Sequence, residues 1–133
     1  MKKTTETTIL IVDDDADFLL QMKTGLEKAG FRTLTADGQA AAEGILENQK
    51  PDLAILDLMM EQMDGGFALA YHIKKKNPEI PVILVTAVMH ETGLEFDAST
   101  DEERSWVKAD AFMAKPLRFE QLFREINRLL KDR

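Results

Sequence analysis

Short apolar segments alternate with amphipathic segments along the 133-residue chain. The short segments predict five β-strands, and apolar residues at spacings of three and four predict four helices between and after them. The strands read as apolar without alternation, as burial on both faces of a sheet requires. This order predicts an α/β fold, a doubly wound parallel sheet with helices on both faces. The predicted strands are Ile9–Val12, Phe31–Ala36, Leu53–Leu56, Val82–Val85 and Ala111–Ala114, and the helices are Ala16–Ala29, Gln39–Asn48, Phe67–Lys76 and Phe119–Leu130.

Glycines mark two of the predicted element boundaries. Gly30 follows the first helix at the position where a positive φ ends many helices. The run Asp64-Gly65-Gly66 predicts a turn before the third helix. With a length typical of one domain, residues 1–133 are expected to form a single unit, of which residues 1–7 are a polar N-terminal tail.

Composition excludes several classes of function. The net charge is -7, from 17 Lys and Arg against 24 Asp and Glu, and this argues against direct nucleic-acid binding and against anionic membranes. The absence of cysteine excludes disulfides, thiolate zinc sites and cysteine nucleophiles. No apolar run is long enough for a signal peptide or a membrane span, so we expect a cytoplasmic protein.

One segment breaks the regular alternation of elements. Residues 88–110 are too many for a short helix with its loops, and from position 90 onward they are strongly acidic. Trp106, the single tryptophan, lies within them. A connection of this length is usually functional or mobile, and a solvated loop with one packed aromatic is favoured over a dedicated partner site.

Polar residues follow four of the five predicted strands. Asp13, Asp14 and Asp15 come after the first strand and Asp57 after the third, while Thr86 follows the fourth and Lys115 the fifth. In open parallel sheets, ligands bind at the carboxyl ends of the strands. Clustered carboxylates repel one another, and a hard cation such as Mg²⁺ relieves that repulsion. An ammonium and a hydroxyl can hold phosphoryl oxygens, and a carboxylate can itself be the nucleophile.

Each of these signals is weak alone. Asp15 and Asp17 fit helix capping as well as chemistry, and Asp57 alone is more often a turn or cap residue. Thr86 alone is nearly always structural. The combination, in this order at successive strand ends, is what carries the interpretation.

The chain resembles the receiver domain of bacterial response regulators of two-component systems, over nearly its whole length. The resemblance implies a flavodoxin-like strand order 2-1-3-4-5 and a phosphoacceptor rather than an enzyme, with at most slow autophosphorylation and autodephosphorylation. The segments that carry it are Ile11–Asp15, Pro51–Met60, Met63–Gly65, Pro81–Ala87 and Phe112–Pro116.

The resemblance also implies a role for each matching position. Asp57 would accept the phosphoryl group. Asp13, Asp14, Asp57 and the backbone carbonyl of Met59 would hold Mg²⁺ or Mn²⁺.

Three further positions match the phosphoryl-binding and switching residues of the family. Lys115 would pair with the phosphoryl oxygens, and its bond to Pro116 is cis in the family. Thr86 would move toward the phosphoryl group, and Phe112 occupies the aromatic switch position.

The implied partners are a sensor histidine kinase or phosphotransfer protein, and a downstream output protein or an output domain outside this chain. Phosphorylation-dependent homodimerisation is a further expectation. The chain departs from the family in having Glu61 where proline is common, and in the length of its acidic segment. Whether the usual signalling face works in the common way is left open by these departures.

Two other functions remain open at this point. A receiver-like module could bind partners independently of phosphorylation. Asp13 and Asp15 also fit the signature of haloacid-dehalogenase-like phosphatases, which need further acidic metal ligands. The candidates, Glu120, Glu125 and Asp132, lie in the last helical pattern and its end, away from a strand end. That reading leaves Asp57 without a role.

Overall fold

The computed structural model describes residues 6–58, 65–86 and 109–131. Met59, Glu61 and Trp106, and most of segment 88–110, lie outside the described residues. The strands are β1 Thr8–Val12, β2 Arg32–Ala36, β3 Leu53–Asp57, β4 Val82–Thr86 and β5 Ala111–Ala114. The helices, numbered here along the described chain, are α1 Ala16–Lys28, α2 Gln39–Asn48, α3 Gly65–Lys76 and α4 Phe119–Leu130.

The five strands form one sheet in the order β2-β1-β3-β4-β5, and every pairing is parallel. The register pairs Val12 with Leu56 and Asp57 with Val85. The α/β class and the strand order expected from the sequence are therefore confirmed. The strand order reverses at β1 and β3, which is where doubly wound sheets bind their ligands.

Two apolar layers cover the sheet. One joins the sheet to α2 and α3 through residues such as Leu10, Leu56 and Leu84, and the other joins it to α1 and α4 through Ile11 and Ile55. β1, β3 and β4 contribute to both layers because successive strand side chains point to opposite faces. Each fully buried Leu or Ile stabilises the fold by roughly 1.5–3 kcal/mol, so these central strands hold the site on rigid backbone.

Helix α1 begins at Ala16 as the sequence predicts and ends one residue before the predicted end, at Lys28 with Ala29 as its C-cap. The Asp15 carboxylate accepts hydrogen bonds from the backbone N–H groups of Asp17 and Phe18, at 3.0 and 3.3 Å, which makes Asp15 the N-cap. Gly30 has a φ of 99° just past the helix, as expected for a C′ glycine.

The structure corrects several predicted element bounds. β1 begins at Thr8 rather than Ile9, and β2 begins at Arg32 rather than Phe31. Helix α3 begins at Gly65, so Gly65 and Gly66 belong to the helix rather than to a preceding turn. β3 and β4 each extend one residue further, to Asp57 and Thr86. β2 is not apolar throughout, because it is an edge strand whose Arg32 and Thr35 are exposed.

The backbone ladder begins just before β1. Thr7 is buried, and its carbonyl accepts a hydrogen bond of 2.9 Å from the Arg32 N–H. The expectation of one domain over residues 1–133 stays a prediction. In the described part of the chain, no helix has the length and apolarity needed to cross a membrane.

Candidate functional site

The pleat of the strands brings three charged side chains to one side of the sheet edge. Ile11, Ile55 and Met113 all pack in the layer that contains α1 and α4. Asp57, two residues after Ile55, ends β3, while Asp13 and Lys115 directly follow β1 and β5. Continued alternation directs all three side chains toward that same side. Because the strands are parallel and adjacent, their carboxyl ends meet at one edge.

Asp13, Asp14 and Asp57 form a carboxylate cluster. One oxygen from each lies within 4.8 Å of the others. Asp13 is fully buried and Asp57 is 7% exposed, whereas Asp14 faces solvent. Three carboxylates so close together, one open to water, suit a hard divalent cation that keeps some of its water ligands. The structure brings together the three predicted carboxylate ligands; Met59, the fourth predicted ligand, lies outside the described residues.

Lys115 places a positive charge against this cluster. Its Nζ lies 2.8 Å from Asp13 Oδ2 and 3.9 Å from Asp57 Oδ1. The other Asp13 oxygen, Oδ1, accepts a hydrogen bond of 2.9 Å from the Asp15 N–H. The Asp13 carboxylate is thus held from two directions, which compensates part of the cost of burying it.

The backbone fixes where the Lys115 side chain starts. Its N–H donates to the Thr86 carbonyl at 2.9 Å, which continues the pairing of β4 with β5. The Lys115–Pro116 peptide bond is cis, as the family resemblance implies.

Thr86 and Phe112 lie toward the opposite layer of the sheet. Thr86 is 2% exposed, and alternation from Leu84 directs it toward the side of α2 and α3. Phe112 pairs with Leu84 in register and is partly buried against that same layer. The two predicted switch residues therefore lie on one face, with Thr86 at the strand end next to the site.

Gly66 is a residue at this site that the sequence analysis did not identify. Its N–H donates to the Leu58 carbonyl at 3.1 Å. A Cβ atom at Gly66 would lie 2.3 Å from the Asp57 carbonyl oxygen and 2.6 Å from Leu58 Cα. A residue without a side chain is therefore required for α3 to reach the backbone that carries Asp57. The glycine pair signalled a turn, but not which backbone it would touch.

Among the described residues, Glu120 and Glu125, two of the acids that a phosphatase would need, do not join the cluster. Glu125 on α4 accepts hydrogen bonds from Arg128 at 2.8 and 3.3 Å, and Glu120 is exposed in the first turn of that helix. The hydrogen bond from Arg128 holds the pKa of Glu125 below its usual value, and the same contact raises the pKa of Arg128. Asp132 lies outside the described residues.

A second carboxyl group with a shifted pKa, that of Glu27, lies near the other end of α1 from the site. Glu27 accepts hydrogen bonds from Lys23 at 2.8 Å and from the Thr33 hydroxyl at 2.9 Å. The Lys23 hydrogen bond, followed by that from Thr33, lowers the pKa of Glu27. This exposed group ties α1 to β2.

Comparison with known proteins identifies the family. A family model described as the response regulator receiver domain matches residues 9–127. The chain is 36% identical over 123 residues to the heme response regulator HssR of Staphylococcus haemolyticus, covering 92% of this chain and 50% of that protein. It is 33% identical over 123 residues to HssR of Staphylococcus aureus strain MRSA252, with the same coverage. The chain thus spans about half the length of these curated relatives.

Solved structures match the fold over nearly the whole chain. A CheY-like receiver domain protein from Methanospirillum hungatei JF-1 has a TM-score of 0.78 and 27% identity, covering 95% of this chain and 94% of that one. The response regulator TrrA from Thermotoga maritima, solved in complex with Mg(2+)-BeF, has a TM-score of 0.75 and 27% identity, covering 93% and 99%. With its sheet order, its carboxylate cluster and these matches, the chain belongs to the response regulator receiver domain family.

Proposed function

We propose that this protein is the phosphoacceptor of a two-component phosphorelay and that Asp57 takes the phosphoryl group. The donor is a phosphohistidine on a sensor histidine kinase or phosphotransfer protein, and the domain acts in the cytoplasm. One observation carries the proposal. The buried Asp57 carboxylate, at the end of β3, lies within 4.8 Å of two other carboxylates and 3.9 Å from the Lys115 ammonium. This arrangement suits a nucleophile whose product carries additional negative charge.

The donor set fits Mg²⁺, or Mn²⁺ in its place. Asp13, Asp14 and Asp57 offer the hard oxygen ligands that these ions prefer, and the Met59 carbonyl is the fourth proposed ligand. When bound, the ion supplies positive charge that neutralises carboxylates and phosphoryl oxygens. No thiolate or imidazole belongs to the cluster among the described residues, which disfavours zinc.

The transfer exchanges one bond to phosphorus for another. An Asp57 carboxylate oxygen attacks the phosphorus of the phosphohistidine, the P–N bond breaks, and its electron pair returns to the imidazole. The product is an acyl phosphate on Asp57. Lys115, which bridges Asp13 and Asp57 before transfer, then donates to a phosphoryl oxygen.

The residues that respond to the new charge, Thr86 and Phe112, lie toward the opposite layer of the sheet. Phosphorylation adds roughly 1.5–2 negative charges at Asp57. The Thr86 hydroxyl hydrogen-bonds to the phosphoryl group, and Phe112 turns inward to fill the space that Thr86 leaves. A partner that distinguishes the two arrangements by a few kcal/mol is enough for signalling. The partner that responds to phosphorylation is a separate output protein or an output domain outside this chain. Phosphorylation-dependent homodimerisation is a further response that we propose.

An acyl-phosphate donor tests the proposal directly. The wild-type chain incubated with acetyl phosphate and Mg²⁺ should gain one phosphoryl group that neutral hydroxylamine removes. Asp57→Asn should gain no phosphoryl group, because the amide is not a nucleophile. Asp37→Asn is the control, since Asp37 is an exposed acid that follows β2 at the same sheet edge. A hydroxylamine-labile label that persists in Asp57→Asn would place the acceptor elsewhere.

The two alternative functions give different results in that assay. A receiver-like module that acts independently of phosphorylation would remain unlabelled under every condition and would bind its partner equally with and without donor. A phosphatase would turn over small phosphomonoesters continuously. A single stoichiometric label without phosphomonoester turnover supports the phosphoacceptor.

A further inference from the structure

Besides its ion pairs with the carboxylate cluster, Lys115 contacts the aromatic ring of Phe18. Its Nζ lies 4.3 Å from the centroid of the Phe18 ring. An ammonium at this distance over an aromatic face is attracted by the negative face of the ring. The Lys115 side chain is 21% exposed, and Phe18 is partly buried against the layer of α1 and α4, so the contact is partly shielded from water.

This contact closes a ring of four interactions around the site. Lys115 Nζ binds one Asp13 oxygen at 2.8 Å, and the other Asp13 oxygen accepts the Asp15 N–H at 2.9 Å. The Asp15 carboxylate accepts the Phe18 N–H at 3.3 Å, and the Phe18 ring lies under Lys115. The N-cap of α1 therefore fixes the aromatic ring relative to the cluster.

Phe18 carries no charge, whereas Asp13 and Asp57, which also lie near the Lys115 ammonium, are carboxylates. The hydrogen bond from Lys115 to Asp13 must weaken if Asp13 turns to a divalent cation, and the ion pair with Asp57 changes if Asp57 becomes an acyl phosphate. The attraction to the ring survives both changes. A neutral partner can thus keep the ammonium at the rim while its anionic partners are exchanged.

We propose that Phe18 is a positioning residue, which holds Lys115 by a cation–π contact in the place where it meets the incoming phosphoryl group. This inference rests on the proposed function of Asp57. Phe18 does not touch the reacting atoms and acts only through Lys115. The role needs an aromatic face, not merely an apolar side chain of similar size.

The first test compares rates of phosphorylation by acetyl phosphate in the full chain. Phe18→Leu should lower the rate about fivefold, the effect of losing a partly shielded cation–π contact. Phe18→Tyr should restore the rate to within about twofold of wild type, since tyrosine keeps the aromatic face. Phe31→Leu is the matched control, because Phe31 packs in the same layer but against the Phe123 ring, at 6.4 Å between centroids. It should leave the rate nearly unchanged.

Fluorinated phenylalanines at position 18 separate the ring's electrostatics from its packing. Each added fluorine weakens the negative face while changing the volume little, so the rate should fall stepwise as fluorines are added. A rate that is flat across the series, or a Phe18→Leu rate equal to that of Phe31→Leu, would overturn the inference.

A second readout does not depend on phosphorylation. The ring should shift the NMR signals of the Lys115 ε-methylene protons upfield in the unphosphorylated protein, and Phe18→Leu should return them to the range of exposed lysines. Unshifted signals in wild type would overturn the contact itself. If wild type takes no label, the proposed function fails and the positioning role fails with it. If wild type labels normally but the fluorine series is flat, only the role of Phe18 fails.

Discussion

Replacing Asp57 by asparagine should stabilise the protein when no divalent cation is present, although it removes a residue from the centre of the site. Asparagine has nearly the same shape as aspartate but no charge. The Asp57 carboxylate is largely buried and lies next to two other carboxylates. Removing one negative charge from this cluster relieves repulsion that the folded state otherwise has to bear.

The size of the effect follows from the distances. At an effective dielectric constant of about 20, unit charges at the 4.8 Å limit repel by about 3.5 kcal/mol, and Asp57 faces both Asp13 and Asp14. Lys115 Nζ, 3.9 Å from Asp57 Oδ1, attracts the Asp57 carboxylate by about 4 kcal/mol at the same dielectric constant and so offsets part of this repulsion. Screening around the exposed Asp14 reduces the remaining repulsion to about 1–2 kcal/mol. For a chain of 133 residues this raises Tm by about 4–7 °C.

Thermal unfolding followed by circular dichroism measures the prediction, first with a chelator and then across a Mg²⁺ titration. In chelator, Asp57→Asn should melt above wild type, while Asp37→Asn should stay within about 2 °C of it. Mg²⁺ should raise the Tm of wild type by mass action and that of Asp57→Asn by less. A lower Tm for Asp57→Asn in chelator, or an equal Mg²⁺ effect on both proteins, would refute a strained carboxylate cluster.

Three further substitutions test other parts of the structure. Gly66→Ala should lower the free energy of unfolding by about 1–3 kcal/mol and slow labelling of Asp57, because its Cβ would meet the Asp57 carbonyl. Gly44→Ala on α2 is the control, because a Cβ there meets nothing within 4 Å. It should raise the free energy of unfolding by about 0.5–1 kcal/mol, and denaturant titrations measure both changes. Glu125→Gln should cost at most about 0.5 kcal/mol at neutral pH. The pKa of Glu125 is lowered in the folded state, so its pairing with Arg128 stabilises the fold fully at pH values above the unfolded pKa of 4.5. This stabilisation is lost as the pH falls through the folded pKa. A lower stability of Glu125→Gln that persists in strong acid would contradict this.

The sequence was sufficient to predict the sheet and the charged cluster. The central strands are buried on both faces, so their apolar runs stand out, and parallel strands bring their carboxyl ends to one edge whatever the loops do. The meeting of Asp13, Asp14 and Asp57, with Lys115 opposite, follows from those two facts. The exposure of Arg32 and Thr35 does not follow from the apolar pattern alone. It follows from the strand order 2-1-3-4-5, which the family resemblance implies and which places β2 at an edge.

Contacts between layers could not be predicted in the same way. Whether Gly66 abuts the Asp57 backbone depends on how closely α3 approaches β3, and helical periodicity does not encode that distance. The Phe18 ring reaches Lys115 because a capped α1 begins beside the end of β5, which joins residues far apart in the chain. In the sequence alone, Phe18 is one more apolar residue on a helix face.

A crystal structure of the chain with Mg²⁺ and beryllofluoride, which mimics a phosphoryl group, would test the central claim most directly. We predict beryllium bound to an Asp57 carboxylate oxygen, Mg²⁺ held by Asp13, Asp14 and Asp57, and Lys115 Nζ moved from Asp13 onto a fluoride. Beryllofluoride on another carboxylate, or Lys115 turned away from the bound group, would contradict the account.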